Sequence, residues 1–108
     1  MKKISLTELK AFCAEFSPRQ YIFSSEKQIS GNSLNQEISF HQHYNLMDVF
    51  LSPNTICFKG DGDNQLIFDC VKYVNISEKS RKNTVTLEIV CGNVYNNDFD
   101  TTYTILMF

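Results

Sequence analysis

The sequence predicts an α+β domain in which an amino-terminal helix packs on one face of a mainly antiparallel sheet of five or six strands. Three observations lead there. From Gln65 to Phe108 the chain makes three strand-like runs separated by Asn- and Asp-rich punctuation, with apolar side chains recurring at every second position. One stretch near the amino terminus instead spaces its apolar residues by three and four, the period of a helix. No second helical stretch is available to make the long crossovers that parallel neighbours need, so consecutive strands should return antiparallel.

The helix begins at a capping box. Ser5 stands three residues before Glu8, so the hydroxyl can accept from the Glu8 amide while the carboxylate accepts from the Ser5 amide. Leu6, Leu9, Phe12, Cys13 and Phe16 then form one stripe, with Lys10, Ala14 and Glu15 facing away. Ser17-Pro18 stops it, because proline disfavours helical geometry in the residue before it. From Arg19 to Ile29, Tyr21, Phe23 and Ile29 alternate with polar residues, although Ile22 breaks the pattern. Ser30-Gly31-Asn32-Ser33 is a turn, and Ile38, Phe40 and Tyr44 resume the period of two, which makes a β-hairpin. Residues Leu46 to Leu51 are apolar except Asp48, and periodicity leaves their structure open.

Ser52-Pro53-Asn54 turns the chain into a short strand from Thr55 to Lys59, with Ile56 and Phe58 on one face and Cys57 on the other. The segment from Lys59 to Asn64 reverses it again. Leu66, Phe68, Cys70, Val74 and Ile76 should share the next inward face, interrupted by Lys72. A loop from Asn75 to Asn83 follows, then Val85, Leu87, Ile89 and Cys91 on one face, a turn from Asn93 to Asp100, and a last strand carrying Tyr103, Ile105 and Met107.

A chain of 108 residues with 43% apolar content fills one core, so residues 1–108 read as a single domain. The net charge of −2 sets up no field toward nucleic acid or an anionic membrane. Lys79, Arg81 and Lys82 form the one basic cluster and read as a solvated loop. Cys13, Cys57, Cys70 and Cys91 have no C-x-x-C spacing, which suits free thiols in a cytoplasmic protein. The amino terminus has no unbroken apolar run of the signal-peptide kind, so Asn75-Ile76-Ser77 is not read as a glycosylation site.

Candidate chemistry is sparse. His41 and His43 lie two apart on a strand and could converge on a metal ion, but the alternation turns both toward solvent and supplies no third ligand. Asp61-Gly62-Asp63-Asn64 opens like a calcium loop, then fails where Leu66 replaces the turning glycine and Lys72 the closing glutamate. No catalytic signature and no cofactor motif is found, and no cysteine is paired with a base. Self-association is a further option, through the Arg19–Ile29 strand or the carboxy-terminal strand.

The remaining constellation depends on topology. In a simple meander, alternate turns share one end, which would bring Asp61 and Asp63 beside Asn96, Asn97, Asp98 and Asp100. Such an acidic rim would face a basic surface on a protein partner and steer its approach. The expectation is therefore a non-catalytic, cytoplasmic protein-binding module, such as a small inhibitor or accessory protein of the kind carried by phages and mobile elements, anti-CRISPR proteins included. The alternative is a small-ligand or metal-binding domain using the His41 and His43 face.

Overall fold

A computed structural model describes residues 1–16, 18–77, 84–93 and 99–108, without the side chains of Phe40 and His41. Its elements are β1 (Lys2–Ile4), α1 (Leu6–Phe16), β2 (Gln20–Ser30), β3 (Ser33–Asn45), β4 (Asp48–Ser52), β5 (Thr55–Lys59), β6 (Gln65–Phe68), β7 (Val71–Ile76), β8 (Val85–Gly92) and β9 (Phe99–Met107). The class is α+β and every strand pairing is antiparallel. The expected five or six strands in one sheet must be corrected. A six-stranded sheet in the order β1-β7-β8-β9-β2-β3 stands with a separate three-stranded sheet, β4-β5-β6.

The capping box forms as its spacing requires. Glu8 N–H donates to Ser5 Oγ at 3.1 Å and Ser5 N–H to Glu8 Oε1 at 3.2 Å. Leu9 is fully buried, and Leu6, Phe12, Cys13 and Phe16 pack against the same core. The stripe is covered by β4 and β7, the two elements α1 meets most.

One face of the large sheet carries the core. Val74, Ile76, Leu87, Ile89, Ile105 and Met107 are buried there, each facing its cross-strand neighbour in register. The small sheet covers the same side through an aromatic seam: Tyr21, stacked on Tyr44 of the large sheet at 5.0 Å, meets Phe58 at 5.2 Å, and Phe23 and Tyr103 meet Phe68 at 6.2 and 4.8 Å.

The β2–β3 hairpin turns on Gly31, whose φ of 61° suits the first central position of a two-residue loop. Ser24 is an extra residue of β2 opposite β9, so the faces exchange beyond it and Ile29 lies on the face of Ile22, a correction to its expected place beside Tyr21 and Phe23. The Ser24 hydroxyl donates to the Thr104 carbonyl at 3.2 Å.

The run from Leu66 to Ile76 is two strands, one in each sheet. The break at Asp69-Cys70 carries the chain between layers, and Cys70 takes a φ of 55°. Cys70 is consequently exposed, a correction to its expected place on the inward face. A register shift at Lys72 then turns both Val71 and Val74 inward. Strands β2 and β9, the expected edges for self-association, each lie between two neighbours. Among the described residues the outer strands of the large sheet are β1 and β3, and in β3 an extra residue opposite Ser24 and another at Asn35 distort the ladder in the way edge strands resist pairing with another chain.

Candidate functional site

The small sheet is built on a strict binary pattern. Val49, Phe58 and Leu66 are aligned across its three strands, as are Leu51, Ile56 and Phe68, and both rows face the core. The alternate rows face away. Asp48, Lys59 and Gln65 form one, Phe50, Cys57 and Ile67 the next, and Ser52 with Thr55 the third. In the middle row Phe50 is 50% and Ile67 48% exposed, with Cys57 half-buried between them. Roughly 200 Å² of apolar surface therefore lies in water, enough for the middle of an interface.

Polar groups flank this row on both sides. The Lys59 ammonium sits 5.9 Å from the Phe50 ring centre, and Asp48 lies opposite Lys59. Beyond them is the turn joining β5 to β6, which bears Asp61 and Asp63. On the other side Thr55 donates to Asp69 Oδ1 at 3.3 Å. Asp48 and Asp69 thus flank the three apolar side chains on opposite sides, and Asp61 and Asp63 lie in the turn beyond the Lys59 row.

Among the described residues Asp61 and Asp63 do not share an end with Asp100, as a meander would have required. Asn45 Nδ2 donates to Asp61 Oδ2 at 2.7 Å, and a Cβ on Gly60 would lie 3.0 Å from the Asn45 carbonyl, so this turn is pressed against the end of β3. Asn45 is opposite Gln20, at the start of β2, whereas Asp100 is opposite Ile29, near its end. That separation is roughly 30 Å at about 3.3 Å per residue. The physical reason is the division into two sheets: β4 to β6 form a layer of their own, and their turns do not follow the ends of the large sheet. Asp100 instead receives the Lys72 ammonium at 3.2 Å on both oxygens. Asn96, Asn97 and Asp98, like Lys79, Arg81 and Lys82, lie outside the described residues.

His43 is exposed, its ring 5.3 Å from that of Phe108 and its Nε2 3.1 Å from Gln20 Oε1. Gln20 Nε2 in turn donates to Asn45 Oδ1 at 3.4 Å, so a polar chain runs from His43 through Gln20 and Asn45 to Asp61. The side chain of His41 is not among those described. Among the described residues no group of three His, Cys, Asp or Glu is placed to hold a metal ion, and no helix is long and apolar enough to cross a membrane.

Sequence reasoning missed Phe50 and Ile67. The signal that could have found them was Cys57, which alternates away from Ile56 and Phe58 and so marks a second face on a strand flanked by two others. No protein-family model, curated protein or solved structure matches this chain.

Proposed function

We propose that the chain is a non-catalytic protein-binding module, a small inhibitor or accessory protein, that docks through the outer face of its three-stranded sheet. The observation that carries this reading is the exposed Phe50, Cys57 and Ile67 row with carboxylates around it. At about 25 cal/mol per Å², covering roughly 200 Å² contributes about 5 kcal/mol before the costs of association. The carboxylates of Asp48, Asp61, Asp63 and Asp69 select a partner whose own apolar contact is rimmed by lysine or arginine, and they act on encounter rate and orientation more than on affinity. The bulged β3 edge is a poor competitor for the same role. If the gene lies beside phage or defence genes, the inhibitor form, including the anti-CRISPR type, is selected over the accessory one.

The test is affinity capture with the wild type, a Phe50→Ser/Ile67→Ser variant and a Thr86→Glu/Thr102→Glu variant on the open face of the large sheet. A binding protein retained by the wild type and the threonine variant, and lost with the serine variant, is the expected result. The same protein retained by all three folded baits would overturn the proposal.

A further inference from the structure

We propose that Cys70 and Cys91 form a site of reversible disulfide modification, closed by exchange with a small disulfide such as oxidised glutathione. Cys70 stands in the break before β7 and Cys91 on β8, but the two thiols meet at one place. Val71 is opposite Cys91 in the β7–β8 pairing, and the Cys70 carbonyl accepts from Gly92 N–H at 2.8 Å, so Cys70 is a diagonal neighbour of Cys91. Adjacent strands and one residue of offset put the two Cα atoms about 6 Å apart, inside the range disulfides span.

In a regular strand, diagonal neighbours point to opposite faces. Cys70 is not regular: its φ of 55° re-aims the side chain, and Cys70 and Cys91 line the same cleft of about 390 Å³ with Phe68, Thr101 and Tyr103. The Cys70 charge is close enough to raise the Cys91 pKa, which burial has already pushed up, to about 12 in all. Accessibility is divided in the order exchange needs. Cys70 is exposed and can meet the oxidant, whereas Cys91 is buried and can meet only Cys70. Cys13 and Cys57 lie on α1 and β5, away from this cleft.

The Cys70 thiolate attacks one sulfur of oxidised glutathione; the glutathione S–S bond breaks, a Cys70–glutathione bond forms and one glutathione thiolate leaves. The Cys91 thiolate then attacks the Cys70 sulfur, forming the Cys70–Cys91 bond and expelling the second glutathione. Two protein thiols have lost two electrons and two protons, and oxidised glutathione has gained both. The high Cys91 pKa makes the second step the slower one, and its rate should rise nearly tenfold per pH unit between pH 7 and 9.

The experiment incubates the native protein with excess oxidised glutathione at pH 8.5, caps remaining thiols with N-ethylmaleimide and digests without reductant. A linked pair of peptides carrying Cys70 and Cys91, in a protein two hydrogens lighter, is the expected product. Cys91→Ala should stop at glutathione on Cys70, and Cys70→Ser should form no internal link. Wild-type protein that accumulates glutathione on Cys70 while Cys91 remains capped as a thiol, or that reacts nowhere, would overturn the proposal. Dithiothreitol should reverse the product.

Discussion

Replacing Phe58 with alanine tests whether the two sheets unfold as one body. Phe58 is fully buried on β5, and its ring lies 5.2 Å from Tyr21 of the large sheet and 5.9 Å from Phe68. Removing the ring forfeits about 2 kcal/mol of apolar transfer. If most of its roughly 100 Å³ stays empty, the cavity adds about 2 kcal/mol more at about 24 cal/mol per Å³. The expected loss is therefore about 4 kcal/mol, a large share of the roughly 5–15 kcal/mol that holds a domain of this size. Phe50→Ala is the internal control, since it removes the same ring from the opposite, half-exposed face of the neighbouring strand. It should cost about 1 kcal/mol or less. Urea unfolding followed by far-ultraviolet circular dichroism and by tyrosine fluorescence measures both. One shared transition, moved down by about 2 M or more for Phe58→Ala, is expected. Two separated transitions, or equal losses for the two variants, would refute the idea of a common core.

Other expectations rest on single contacts and on titration. Ser5→Ala removes the hydroxyl that receives the Glu8 amide and should lower stability by about 1 kcal/mol in the same urea assay. Oxidising Cys70 and Cys91 together closes a loop that should add about 3 kcal/mol, read as a higher urea midpoint that dithiothreitol reverses. Burial raises the pKa of Cys13 to about 11 and of Cys91, Tyr21 and Tyr103 to about 12, with Glu26 also holding the Tyr103 proton. The unfolded chain ionises these groups at lower pH and so binds fewer protons than the native one. Stability should then fall as pH rises from about 9 toward 12, and Tyr21→Phe should flatten the upper part of that fall. Asp61→Asn/Asp63→Asn should slow association with the partner severalfold at low salt and leave its dissociation rate nearly unchanged.

Local patterns in the sequence are legible because their causes are local. The Ser5 and Glu8 spacing carries the helix start, Gly31 the hairpin, and the alternation from Val85 to Cys91 a strand that is buried on one face. What stays hidden depends on which layer a strand joins. The residues from Leu66 to Ile76 keep a period of two across Asp69-Cys70, so nothing in their apolar pattern marks the passage from one sheet to the other. Alternation alone therefore puts Cys70 on the wrong face. Lys2 to Ile4 carry no strand signal because only Ile4 of that strand is buried. Leu46 to Leu51 combines a buried connector, Leu46, with an edge strand that exposes Phe50, and both contribute alike to one apolar run.

The same cause explains the candidate site. A rim of distant aspartates required every turn to follow one sheet, and the second sheet moves Asp61 and Asp63 away from Asp100. Those two carboxylates lie in the turn of the small sheet whose outer apolar row the alternation in Thr55 to Lys59 marks through Cys57 alone.

The most direct measurement is an NMR footprint of the labelled chain in complex with its captured partner. The largest shifts are expected at Phe50, Cys57 and Ile67, with a surrounding ring at Asp48, Lys59 and Asp61. Shifts confined to the β3 edge or to the Thr86, Thr102 and Thr104 face, with the Phe50 row unchanged, would contradict docking through the small sheet.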